Sequence, residues 1–158
     1  MIVSDAGPLI IFARIGRLAL LHDIVKSLTV PPAVYAEIRV DGMAGAEELV
    51  RAEWLHRVAV ADPDLLQALP SLTLHAGERE AIALAKEQAA QLLIDEIRGR
   101  RIATQLGIEV IGTLRLLHQA KRTEKIETVG PLILEMQSKG YRFDRTLIRR
   151  FLEQIGEI

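Results

Sequence analysis

Two aspartates stand directly after short apolar runs: Asp5 follows "MIVS" and Asp95 follows "LLI". If the two runs are adjacent strands of a parallel sheet, they lie about 4.8 Å apart, and both carboxyls reach the carboxyl-terminal edge where open α/β sheets place ligands. Carboxylates held that close repel, and a divalent cation offsets the repulsion. The chemistry implied is a hard-metal site, although single acids at strand ends also serve as turn residues. Two further acids are candidates. Glu37 falls on the helix after the second apolar run, and Glu78 at the start of a long helix where its charge suits the dipole. Each reads equally well as a solvated helix charge, and Glu80 could replace Glu78. Glu96, next to Asp95, is expected to face elsewhere.

Residues that could hold phosphate follow two of these acids. Arg98, Arg100 and Arg101 come after Asp95, and Lys121, Arg122 and Lys125 end a later helix. Either set could attract an RNA backbone, or form an ordinary solvated basic surface. Thr113 could hydrogen-bond near phosphate or cap a helix. One Trp, two Tyr and three Phe make no repeated stacking platform.

The elements that must position these groups follow from the apolar pattern. Short strands are expected at Met1–Ser4, in "SLTVPP", in "HRVAVADPD", at Leu92–Ile94 and in "GIEVIG". Helices are expected at Pro8–Ile15, Leu18–Val25, through Val34 and Ile38, near Glu47–Leu55 after a loop at 42–45, at Glu80–Ala90, and at Ile97–Leu106. In the Glu80–Ala90 helix, Ile82, Ala85 and Ala89 form a narrow apolar face. Beyond Gly112 the pattern is helical throughout, over Thr113–Arg122, about Pro131–Ser138 and Asp144–Ile155. Leu147, Phe151 and Ile155 suggest a packed face on the last helix. Strands alternating with helices predict a three-layer α/β/α sandwich with a mostly parallel central sheet. At 158 residues the chain reads as one domain over 1–158, with residues 130–158 a helical extension packed on it. Part of that tail is alternatively a surface for a homodimer or a regulatory partner.

Composition narrows the classes. Zero cysteines exclude disulfides, and four scattered histidines make a structural zinc site a poor fit. The net charge of −1 gives no global pull on nucleic acid, so such a partner needs a local basic patch. The apolar start is too short to span a bilayer and lacks a cleavage signature, so a cytoplasmic protein without membrane contact is expected. No phosphate-binding glycine loop, zinc-protease motif or serine nucleophile motif is present.

Taken together, "IVSDAGPLI", "VPPAVYAEI", "LHAGEREAIALA", "LLIDE" and "GIEVIGTLRLLHQAK" resemble, in order, the acidic segments of PIN-like nuclease domains. The resemblance is to a poorly characterised prokaryotic branch related to toxin–antitoxin ribonucleases. It covers approximately residues 2 to 125. It implies an RNA-hydrolysing enzyme that uses Mg2+ or Mn2+, leaves a 5′-phosphate and a 3′-hydroxyl, and in toxin relatives is paired with a cognate antitoxin. Asp5, Glu37, Glu78 and Asp95 match its site acids and are the expected catalytic and metal-binding residues. Arg98, Arg101, Thr113, Lys121 and Arg122 are the expected contacts to nucleic acid. The chain departs from the family pattern at Gly7, where many members carry a hydroxyl residue, and in "DEIRGRR" after Asp95. Those departures motivate the alternative, a catalytically weak or inactive module that binds nucleic acid or an antitoxin.

Overall fold

Each apolar triplet with a breaker or an acid behind it becomes a strand, because burial on both faces suits a continuous apolar run in a parallel sheet. The computed structural model describes residues 1–42 and 45–158. The strands are β1 (Ile2–Ser4), β2 (Leu28–Val30), β3 (Leu55–Arg57), β4 (Gln91–Leu93) and β5 (Val110–Ile111). All are parallel, in the order β3-β2-β1-β4-β5. Strands β1 and β4 are therefore neighbours, with Ile2 opposite Gln91, Val3 opposite Leu92 and Ser4 opposite Leu93. The ladder continues one step further, where the Asp5 amide donates to the Leu93 carbonyl at 2.9 Å.

The helices are α1 (Ala6–Arg14), α2 (Leu18–Val25), α3 (Pro32–Asp41), α4 (Ala46–Val50), α5 (Pro63–Gln67), α6 (Ala76–Glu87), α7 (Ile97–Gln105), α8 (Thr113–Arg122), α9 (Gly130–Ser138) and α10 (Arg145–Gln154). Helices α1, α3, α4 and α6 pack among themselves, and α2 packs on α8. With the sheet between helical layers, the protein is an α/β/α sandwich. The core runs from Val3, Leu9 and Phe12 through Ile82, Leu84 and Leu92 to Leu117, and takes in Ile133 and Met136 of α9.

Several boundaries differ from the sequence reading. The helix expected to reach Leu55 ends at Val50, because Leu55 joins the sheet as the first residue of an edge strand whose His56 and Arg57 are exposed. The loop expected at 42–45 includes residues 43 and 44, which lie outside the described residues. Helix α6 starts at Ala76, with Glu78 in its first turn, and Ala81 to Ala85 are all buried, so the narrow face becomes a helix covered on all sides there. Ala89 lies beyond its end and is exposed, at a φ of 50°. On α10, Leu147 is exposed, and the packed side is made by Ile148, Phe151, Leu152 and Ile155. The C-terminus is tied down by Glu157, which accepts from the Val129 and Gly130 amides and from Lys121, each at 2.8–2.9 Å.

Candidate active site

At the carboxyl end of β1 the chain turns directly into α1, and Asp5 is the residue on that turn. Its exposure is only 8%. Burial is the main reason its carboxyl is raised from the ordinary 3.8 to about 7; the Ala6 amide opposes this, and the charges of Glu78, Glu37 and Asp95 add to it. Among the described residues no ion pair reaches Asp5. Ser4 points the other way, since successive strand side chains alternate, and its hydroxyl donates to the Asp5 carbonyl at 2.8 Å.

Glu78 is also 8% exposed, in the first turn of α6. Burial raises its carboxyl, Glu96 and Glu37 add to that, and His75 opposes through its charge and its amide. His75 is the N-cap of α6, which places Glu78 in the first turn. Glu37 projects from α3 toward the same place: a Cβ built on Gly77 would lie 3.0 Å from Glu37 Oε1, a tight approach that any other residue would relieve only by a shift of the carboxylate. Although Glu37 as a residue is exposed, burial raises its carboxyl too, with His75 opposing. Glu80 is turned to another task, as its Oε1 accepts the Ala33 amide at 3.3 Å near the start of α3.

Asp95, one residue past Ile94 at the end of β4, is held on several sides. The Thr113 amide donates to its Oδ1 at 2.8 Å, the Thr113 hydroxyl to its Oδ2 at 2.5 Å, and the Tyr141 hydroxyl also to Oδ2. Glu96 caps α7 by accepting the Arg98 and Gly99 amides at 3.1 and 2.6 Å.

The family model of DUF3368, described as a PIN domain, matches residues 1–157. The chain belongs to this PIN-domain family. No curated relative matches it. The fold is thus of the nuclease type, and among the described residues no helix is long and apolar enough to cross a membrane.

In this PIN domain the acids are carried by separate elements that the sheet and α6 bring to one edge. Among the described residues, no three Asp, Glu or His side chains converge into a ready-made metal cage. The donors still suit a hard divalent cation, because all are carboxylate oxygens and buried Asp5 has no cationic partner. Magnesium commonly binds through one or two carboxylates and keeps several waters.

The basic residues divide. Arg98 and Arg101 are exposed on α7, whose first turn follows Glu96. Arg122 is exposed at the far end of α8, roughly 14 Å along the helix from Thr113 at the acid edge. Lys121 is engaged with Glu157 at 2.9 Å and the Ile155 carbonyl at 3.2 Å, so the structure uses it to hold the C-terminus. Thr113 is fully buried, with its hydroxyl and amide committed to Asp95. Sequence reasoning missed Tyr141, which is 46 positions from Asp95. It also missed the field of Glu96 on Glu78, since Glu96, directly after Asp95, was expected to face elsewhere.

Proposed function

We propose that the protein is a metal-dependent ribonuclease that hydrolyses RNA phosphodiester bonds. The observation that supports this best is the placement of Asp5 and Asp95 at the ends of the neighbouring strands β1 and β4, close enough for the charge of Asp95 to act on Asp5, with Asp5 buried and uncompensated. Asp5 and Asp95 would hold Mg2+ or Mn2+, directly or through water, and Glu37 and Glu78 would orient the ion's hydration. When bound, the ion supplies Lewis acidity at the scissile phosphate and lowers the pKa of an attacking water. The chain's own residues prepare for this. Thr113 keeps Asp95 in one orientation, and Arg98 and Arg101 offer exposed cations to an RNA backbone beside the acids. Such work belongs in the cytoplasm, where the substrate is. As the toxin of a pair, the protein would arrest growth when expressed alone and be relieved by its antitoxin.

The test is cleavage of a diverse RNA pool with and without Mn2+, by the wild type and by Asp5→Asn and Asp95→Asn. Cleavage that needs metal and both aspartates supports the reading. Cleavage that persists in chelator, or in both variants, sinks it. A second reading is favoured by the hydroxyls already bound to Asp95: a PIN domain that binds RNA without cutting it. RNA retention without metal-dependent products would select that one.

A further inference from the structure

Position 7 and Tyr141 share one small volume at the acid edge. A Cβ built on Gly7 would lie 3.5 Å from the Tyr141 hydroxyl and 3.8 Å from its ring carbon Cε1. The ring therefore lies over the first turn of α1, and its hydroxyl reaches past Gly7 to Asp95 Oδ2. That a side chain from the C-terminal region closes on the β4 acid calls for an account of what holds it there.

The delivery is built into the end of α9. Leu132, Ile133 and Met136 bury this helix in the core, so its axis is fixed against the sandwich. Past the C-cap Lys139, Gly140 adopts a φ of 90°, its amide donates to the Gln137 carbonyl, and the Tyr141 amide donates to the Met136 carbonyl, both at 3.0 Å. These two bonds, closing on the third and second residues from the helix end, form a Schellman motif. The motif sets the Tyr141 backbone by main-chain geometry alone. Phe143 then packs edge-on against the ring, with centroids 5.1 Å apart, which limits its swing.

We propose that Tyr141 is a positioning residue for Asp95, supplied by the C-terminal region and fitted across Gly7 to hold the carboxylate ready for a divalent cation. The inference rests on the metal-site reading above. With Thr113 it leaves Asp95 Oδ2 doubly bonded to hydroxyls and restricts the carboxylate to one rotamer, the service that outer hydrogen bonds perform for metal ligands elsewhere. Tyr141 is not a catalytic residue, since it acts through Asp95.

Two measurements on Tyr141→Phe test this. Calorimetric titration with Mn2+ should show a Kd raised roughly tenfold, as loss of such outer contacts does. In chelator, a double-mutant cycle of Tyr141→Phe and Asp95→Asn by urea denaturation should be non-additive, because the two groups touch. Wild-type affinity in the variant overturns the positioning role alone, as does tighter Mn2+ binding, which would make the tyrosine a blocker. An additive cycle removes the contact itself. If the wild type takes up no Mn2+, the metal reading falls, and a non-additive cycle then reduces the contact to a structural one.

Discussion

The carboxyl ends of β1 and β4 are neighbours and each carries an aspartate, yet the two are treated in opposite ways. Asp95 is tied by a backbone amide and two hydroxyls. Asp5 is buried at 8% exposure, with its carboxyl raised to about 7 by desolvation and by the acids around it. Such a pair joins a pre-oriented carboxylate to one whose charge is costly until a cation arrives. Buried acids perturbed in this way concentrate at functional sites, which supports the metal site proposed above.

Substituting each aspartate breaks the comparison most sharply. Asp5→Asn and Asp95→Asn should each cut RNA cleavage by more than about 100-fold, the scale on which misplaced reacting groups show. Their stabilities in chelator should move apart. Because the folded carboxyl of Asp5 titrates at about 7 and the free one at 3.8, its stabilising contribution is complete below pH 3.8 and is lost as pH rises to about 7. That loss is on the order of 4 kcal/mol. Asp5→Asn should therefore stabilise the fold at pH 8 by on the order of 1–3 kcal/mol, less than the full loss because the new amide donors need partners. Asp95→Asn should destabilise by about 1–3 kcal/mol, since its amide faces hydroxyl donors. Urea denaturation at pH 8 reads both, and equal shifts would end the distinction.

Metal sharpens the same contrast from the other side. Mn2+ at a hundred times its Kd should stabilise the wild type by about 2.7 kcal/mol, a rise in Tm of about 5–10 °C for a chain this long. The rise should shrink at pH 5, where the metal-free Asp5 is protonated, and vanish in Asp5→Asn. A shift of equal size at pH 5 and pH 8 would show that the ion stabilises some other place.

A smaller effect separates Glu78 from Glu80 on α6. Glu78→Gln should lower cleavage about tenfold through loss of ion orientation. Glu80→Gln should leave cleavage intact and weaken the start of α3 by about 0.5 kcal/mol, the lower end for a net hydrogen bond. Reversal of the two outcomes would move the site one helical step.

Much of this edge was legible in the chain, and the reason is local. Asp5 and Asp95 each end an apolar run, and Leu18–Val25 and Thr113–Arg122 stand as helices with the bounds that their patterns suggest. What escaped was set by tertiary contact. Strand β3 was expected within "HRVAVADPD", but it begins at Leu55, which the pattern gives to the helix before it, and two of its three residues are exposed. The short α5 was hidden in "DPDLLQ", where Asp62 caps by accepting the Asp64 amide and reads as a turn. Glu78 and Glu80 were indistinguishable by spacing, because the difference lies in which neighbour each meets. Lys121 looked free as a helix-end cation until Glu157 came back to it across 36 positions. Tyr141 lies 46 positions from the acid it meets, so nothing in its own segment pointed to Asp95.

The finest test concerns the gap at position 7. Gly7 looked like a lost hydroxyl, but the space beside it is filled by the hydroxyl of Tyr141. A side chain at Gly7 is admitted, since its Cβ would make only ordinary contact at 3.5 Å. In the wild type, Gly7→Ser should therefore change Mn2+ affinity little, because its oxygen finds the volume in use. In the Tyr141→Phe background the same serine points into the vacated space beside Asp95, and should recover a factor of about 3 in affinity, within the worth of one net hydrogen bond. Calorimetry on the four proteins gives both comparisons. Equal gains in the two backgrounds would mean that the serine acts elsewhere. A gain confined to the phenylalanine background would mean that one hydroxyl is needed beside Asp95 and that the chain can supply it from either end.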